Sequence, residues 1–396
     1  MSTAEHMRRA GHAEHMGRTG RTRGIKRVLT VFGTRPEAIK LAPVIEALGS
    51  RPDEFQSVVA VTAQHREMLD QVLTLFGIVP DYDLDIMTAG QSLGDIVINA
   101  TAGLSPLMGQ VCPDVVLVQG DTTTTFAAAL VAFMHRTPVG HVEAGLRTHD
   151  LARPFPEEGN RQLTTRLARW HFAPTALSRD NLLAEGVAAD AIHVTGNTVV
   201  DALLAVRGQA FSFGPGQIQD VLSSGRRIVL VTAHRRESWG EPFDRICAAV
   251  SELATAFEDI HVLFATHKNP IVADAAQRHL GGLERVSLIG PQEYLPFVKL
   301  MDAATLILSD SGGVQEEAPT LGKPALVLRE VTERPEAARA GVVKLVGTDT
   351  GRILAEAARL LTDERAYAKM AHASNPFGDG HAADHIVDVL AAEERP

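Results

Sequence analysis

Beyond the first two dozen residues the chain alternates short apolar runs with longer stretches whose apolar positions recur every three to four residues. Residues 28–32 (VLTVF) have the length and branching of a buried strand, and 36–48 the periodicity of an amphipathic helix. The same alternation predicts strands over 57–62, 114–119, 138–142 and 171–173, each followed by a helical stretch. It restarts at 227–232 and continues through 261–265, 286–289, 305–308 and 324–328, with helices over 294–303 and 313–321 among them. Strands that alternate with helices imply a parallel sheet covered on both faces. Two such series predict an α/β protein of two Rossmann-like domains joined near 196–201, without an internal sequence repeat. In such sheets ligands gather beyond the carboxyl ends of the strands.

The length of 396 residues agrees with two domains. A content of 45% apolar and 22% charged residues, with mean hydropathy near zero, is that of a folded soluble chain. The net charge of -10 argues against nucleic acid as a partner. Cys112 and Cys247 are the only cysteines and fit neither a disulfide framework nor a metal spacing. No apolar run reaches the roughly 18 to 20 residues of a membrane span, and no signal-peptide pattern is present, so a cytoplasmic location is expected. Residues 1–24 lack periodicity and read as a disordered leader. Its His6, His12 and His15 are better taken as a solvated tail than as a metal site, and Met7 and Met16 leave the true start open.

The strand ends carry the chemistry. Gly33-Thr34-Arg35-Pro36-Glu37 opens a helix, where Arg35, with Lys40 one turn on, forms either an anion site or an exposed basic turn. Asp121 follows the third predicted strand and by itself reads as a helix N-cap. Glu143 ends the next strand, and Glu157 and Glu158 open a helix whose dipole they suit. Acidic groups at three strand ends or loops of one domain would line one crevice and tune each other's proton affinity. The second series supplies cations: His234, Arg235 and Arg236 after one strand, His267 and Lys268 after another, and Arg334 at the same edge. Asp310-Ser311-Gly312-Gly313 joins strand to helix through a loop that lets backbone N–H groups approach phosphate, with Glu316 and Glu317 placed to accept from ribose hydroxyls. It is neither a Walker A loop nor Gly-x-Gly-x-x-Gly, so NAD and ATP are not indicated.

Taken together, VLTVFGTRPEAIKLAP, TAQHREMLDQVL, GDTTTT, GHVEAGLRT, PEEGNR, TGNTVVDALL, HRRES, PQEYLPF, DSGGVQEEAP and TERPEA resemble, in order, the non-hydrolysing UDP-N-acetylglucosamine (UDP-GlcNAc) 2-epimerases from Val28 to about Leu390. The resemblance implies two Rossmann-like domains in a GT-B arrangement, with the active site in the cleft between them. The domains would be 25–196, completed by a C-terminal helix at 378–396, and 197–377. It implies Asp121, Glu143 and Glu157 as acid-base groups and His234 as the active-site histidine near the diphosphate. Arg35, Lys40, Gln292, Ser311, Gly312, Glu317 and Arg334 would hold UDP. Gln64, Arg235 and His267 would hold a second UDP-GlcNAc as activator. A homodimer is implied, with no cofactor and no metal. Ala233, Lys268 and Glu67 depart from residues common in the family, and the leader matches nothing in it.

The implied chemistry suits these residue types. The C2 hydrogen of UDP-GlcNAc has no adjacent carbonyl, so epimerisation through 2-acetamidoglucal and UDP needs proton transfer on both faces of C2 and cations at the departing diphosphate. UDP-N-acetylmannosamine (UDP-ManNAc) would be the product. A hydrolysing epimerase, a GT-B glycosyltransferase and a nucleotide-sugar sensor share parts of this pattern. The full trio of acids favours the epimerase.

Overall fold

The computed structural model describes residues 24–62, 66–88, 90–235, 238–266 and 269–393. The expected leader, apart from Gly24, lies outside them. The first sheet contains β1 (Lys26–Phe32), β2 (Phe55–Val61), β3 (Tyr82–Asp83), β4 (Val115–Gln119), β5 (Val139–Val142), β6 (Trp170–Ala173) and β7 (Ile192–Val194). The second contains β8 (Arg227–Thr232), β9 (Ile260–Ala265), β10 (Val286–Ile289), β11 (Leu306–Ser309), β12 (Ala325–Val327) and β13 (Val343–Leu345). Their orders are β3-β2-β1-β4-β5-β6-β7 and β10-β9-β8-β11-β12-β13, with every pairing parallel.

These are two doubly wound sheets, as the alternation predicted. Leu29, Phe32, Leu117, Val229, Leu230 and Leu308 are all fully buried, because helices cover both faces of each sheet. β3, β7 and β13 were not predicted. At two or three residues they are too short to show a period, and pairing at a sheet edge defines them.

The chain winds away from β1 toward β2 and then returns to β4 on the other side, so a switch point opens between β1 and β4, and likewise between β8 and β11. The loops after those four strands carry Gly33, Asp121, His234 and Ser311. At the join, Asn197 caps the helix Thr198–Arg207 by accepting from the Val199 N–H (3.2 Å). That helix packs against Arg35–Gly49 of the first half and against Tyr294–Ala303 and Val314–Thr320 of the second. The chain then returns: the Asn197 N–H donates to the Phe377 carbonyl (2.7 Å), and the helix Ala382–Ala392 lies on the first half. Lys26 donates to the Leu390 carbonyl (2.5 Å), Arg51 pairs with Asp388 (2.7 Å), and Asp201 accepts from the Ala383 N–H (2.8 Å). No helix among the described residues is long and apolar enough to cross a membrane.

Gly145, just past Glu143, has φ 92°, and a Cβ there would sit 2.3 Å from the Ser178 carbonyl oxygen. Gly145→Ala is therefore expected to destabilise the fold by about 2 kcal/mol or more, read as a lowered urea midpoint.

Candidate active site

The helix start after β1 is already occupied. Glu37 is buried there and accepts from the N–H groups of Gly33 (3.1 Å) and Thr34 (2.8 Å), and from the hydroxyls of Thr34, Thr122 and Thr125. The anion expected at this N-terminus is thus supplied from within, and burial pushes the Glu37 carboxyl above its ordinary value. Arg35 is half-buried and has no ion-pair partner among the described residues, so its charge remains available to the cleft. Lys40 turns toward Glu143, its Nζ 2.5 Å from both carboxylate oxygens.

Glu143 occupies the end of β5 at φ 64°, a left-handed conformation that a glutamate seldom adopts. Gln119 donates to it from β4, Asn197 donates at 3.2 Å, and Arg334 stands 3.8 Å away. Burial alone would raise its proton affinity, but Lys40 and Arg334 hold the carboxyl below its ordinary value.

Asp121 is not the cap of its helix. Thr122 fills that role, accepting from the Thr125 N–H (3.1 Å), and Asp121 instead pairs with Arg161 (2.7 Å). Arg161 also holds Glu158 (3.0 Å), and Asn160 donates to the Asp121 carbonyl (2.9 Å), so the helix Glu157–Leu167 is tied to the Asp121 loop. Glu158 is fully buried and spent on structure, accepting from the Thr148 (3.1 Å) and His149 (3.2 Å) N–H groups. Glu157 keeps one buried oxygen, Oε2, without a hydrogen-bond partner. Behind these loops the strands carry a row of histidines. His141 stands beside His171 in register, and His193 beside Phe172. The His141 ring bonds the Gly120 carbonyl (2.7 Å), which holds the turn just before Asp121.

On the second sheet the buried Asp310 accepts from the N–H groups of His234 (2.9 Å) and Arg235 (2.9 Å), fixing the turn after β8. His234 Nδ1 lies 3.4 Å from the other Asp310 oxygen. In the loop after β11, a Cβ on Gly312 would sit 2.7 Å from Arg334 and 3.5 Å from Arg235, so both guanidinium groups crowd this glycine. Glu333 compensates them. Burial opposes its charge, but Arg329, Arg235 and Arg334 lower its carboxyl to about 2. Glu317 accepts from the Tyr294 hydroxyl (3.0 Å), and burial pushes it up to about 7. Gln292 donates to the Gly290 carbonyl (2.8 Å) at a depression of about 300 Å³ lined also by Phe213, Ile218 and Ile289.

The expected residues thus lie in the loops and following helices at the carboxyl ends of the two sheets, with two exceptions. Gln64 and His267 lie outside the described residues, as do Arg236 and Lys268. Arg235, expected beside them, stands with Arg334 against Gly312 in the loop after β11. Sequence reasoning missed Glu37, Arg161, Asn197 and Asp310. Of these, Arg161 had a signal, because it stands one turn along the helix that Glu157 opens.

The histidine row gives a dependence on pH. Burial lowers His141 to about 4 and His171 to about 3, so between those values and about 6.5 the unfolded chain binds protons that the folded chain does not. Their contribution is complete above 6.5 and is lost as pH falls. Glu317, raised to about 7, and the raised Glu37, Asp201 and Glu316 act oppositely, while the lowered His193 and His261 add to the histidine side. Against the unaltered chain, His171→Leu should reduce the gain in stability between pH 4.5 and 6.5, read from urea midpoints, by up to about 1.4 kcal/mol per pH unit.

Comparison with known proteins agrees with this geometry. A family model described as UDP-N-acetylglucosamine 2-epimerase matches residues 46–391. The UDP-N-acetylglucosamine 2-epimerase of Salmonella typhimurium is 56% identical over 369 residues, covering 92% of this chain and 98% of the relative. A crystal structure of a Listeria monocytogenes protein, described as a UDP-N-acetylglucosamine 2-epimerase by assignment, superimposes with a TM-score of 0.87 at 45% identity, covering 94% of this chain and 99% of that one. The Neisseria meningitidis UDP-GlcNAc 2-epimerase bound to UDP-GlcNAc gives 0.84 at 50% identity, covering 93% and 100%. With matches of this extent and two Rossmann-like units facing each other, the chain belongs to the UDP-N-acetylglucosamine 2-epimerase family of isomerases.

Proposed function

We propose that the chain interconverts UDP-GlcNAc and UDP-ManNAc without releasing the free sugar, by anti elimination of UDP and its re-addition. The observation that carries this reading is the gathering of Asp121, Glu143 and Glu157 in the loops and helix start after the adjacent strands β4 and β5, where Arg334 of the second half reaches Glu143. The Neisseria relative's bound UDP-GlcNAc supports the choice of substrate.

In this mechanism a carboxylate takes the C2 proton, and the C–H electron pair becomes the C1–C2 double bond. The C1–O bond breaks, leaving its electrons on the β-phosphate. UDP and 2-acetamidoglucal remain in the cleft. UDP then adds back to C1 while a carboxylic acid on the opposite face protonates C2, so no external oxidant or reductant is consumed. Asp121, Glu143 and Glu157 supply the proton transfers, and the buried Oε2 of Glu157 has no hydrogen bond to give up when it takes a proton. Arg35, His234, Arg334 and the N–H groups of the Ser311-Gly312 loop stabilise the departing diphosphate, while Glu317 and Gln292 hold the nucleoside. Residues 25–196 with the last helix form one lobe and 197–377 the other. Their closure keeps water from the glucal.

Proton NMR of the protein with UDP-GlcNAc in deuterated water should show UDP-ManNAc with deuterium at C2. Free ManNAc with UDP would place the chain among hydrolysing epimerases, and unchanged substrate under conditions of demonstrated binding would overturn the reading. Asp121→Asn, Glu143→Gln and Glu157→Gln should each lower kcat by about 10²- to 10⁴-fold while UDP affinity, measured by calorimetry, does not fall.

A further inference from the structure

Glu143 and Glu316 are buried carboxylates from opposite sheets that share their donors. Asn197 donates to both, at 3.2 Å to Glu143 Oε1 and 2.6 Å to Glu316 Oε2. Its orientation is settled by its own helix: Oδ1 accepts from the Val199 N–H, which leaves only the NH2 group for the two acids. The second shared donor is Arg334. Its Nε pairs with Glu316 Oε1, its Nη2 stands 3.8 Å from Glu143, and its Nη1 lies against Gly312 of the nucleotide loop. Glu316 is fully buried, and its side chain is spent on these two donors. It has no surface left for a sugar and no charge suited to a phosphate.

We propose that Glu316 and Asn197 are positioning residues that hold the Arg334 guanidinium between the nucleotide loop and Glu143, so that a diphosphate reaching Arg334 alters the charge felt by Glu143 across the cleft. This deepens the function proposed above and rests on it for the identity of the diphosphate.

The local charges make the coupling explicit. Glu143 faces Lys40, Gln119, Asn197 and Arg334, with the neutral His141 on its own strand. Glu316 faces Arg334 and Asn197, with Lys40, Glu143 and Glu317 close enough to act on it. Arg334 also meets Glu333 at 3.6 Å, so Lys40 and Arg334 serve three carboxylates, with Arg235 and Arg329 beside Glu333. A diphosphate drawing on Arg334 leaves Glu143 and Glu316 short of positive charge, and the carboxylates respond by binding a proton more tightly. Burial and the adjacent acid already push Glu316 up, whereas the two cations keep Glu143 down. Nucleotide arrival thus makes Glu143 a stronger base when a C2 hydrogen is in place, and an empty cleft leaves it a stable ion pair.

Two variants test this with opposite signs. Glu316→Gln keeps the shape but removes a negative charge beside Glu143 and frees Arg334 toward it, so the acidic limb of the kcat profile should move down by about one pH unit. Asn197→Ser keeps a helix cap but removes the donor to both carboxylates, so the limb should move up. Reduced activity in both variants with an unmoved limb would show a merely structural role and overturn the proposal. A second readout needs no turnover. Calorimetric titration with UDP in buffers of differing ionisation enthalpy gives the protons taken up on binding, and the nucleotide's own ionisation cancels between proteins. Uptake by Glu316→Gln should be at most half that of the unaltered chain, and equal uptake overturns the proposal. A chain that binds UDP with this difference yet fails to epimerise would refute the proposed function and leave the coupling standing.

Discussion

Reversal of winding in a parallel sheet is the constraint on which the site depends. Each crossover must pass over one face, so where the chain turns from building outward on one side of β1 to building on the other, two adjacent loops diverge and leave a crevice. The chain does this twice, between β1 and β4 and between β8 and β11, and the two crevices carry complementary chemistry. The first collects carboxylates, the second cations and a glycine loop. Because both lie at carboxyl ends of strands, the backbone there offers N–H groups and short turns instead of bulky packing, and buried side chains can be aimed without breaking the sheet.

Such concentration of buried charge is costly unless each group is paired. The pairs here fall into two classes. Glu37 and Glu158 are saturated by backbone N–H groups and neighbouring side chains, and they fix loops, as does Asp310, whose Oδ2 accepts two N–H groups while its Oδ1 has no hydrogen bond. Glu143, Asp121 and Glu157 are compensated by a single cation or two, or in part not at all. The first class cannot exchange protons without unmaking a turn. In the second class the partners are side chains able to move or to share their charge.

This division also marks what the sequence could reveal. Strand ends were legible because glycine, aspartate and proline punctuate apolar runs, and the buried strands matched the alternation closely. The edge strands β3, β7 and β13 were not, since two or three residues carry no period. Glu157 and Glu158 are adjacent in sequence and looked alike, yet a step of about 100° around the helix turns one into the fold and leaves the other's oxygen unpartnered. Asn197 and Asp310 stand in quoted motifs without a role of their own. Their roles in the site arise from contacts some 50 to over 100 residues away in sequence, which no local pattern encodes.

The join between the halves adds a final step. A hinge ordinarily uses small exposed residues that absorb rotation without affecting the site. Here the first crossing contains Asn197, whose backbone N–H holds the returning chain at Phe377 while its side chain holds an acid from each sheet. Rotation of one half against the other therefore cannot leave those carboxylates untouched, because the atoms that bear the rotation are bonded to them. The same residue caps the helix that packs against both halves, so its backbone is anchored where its side chain is shared. The segment that joins the halves thus also holds two buried carboxylates, and the separation between a mechanical element and a chemical one does not apply at this join.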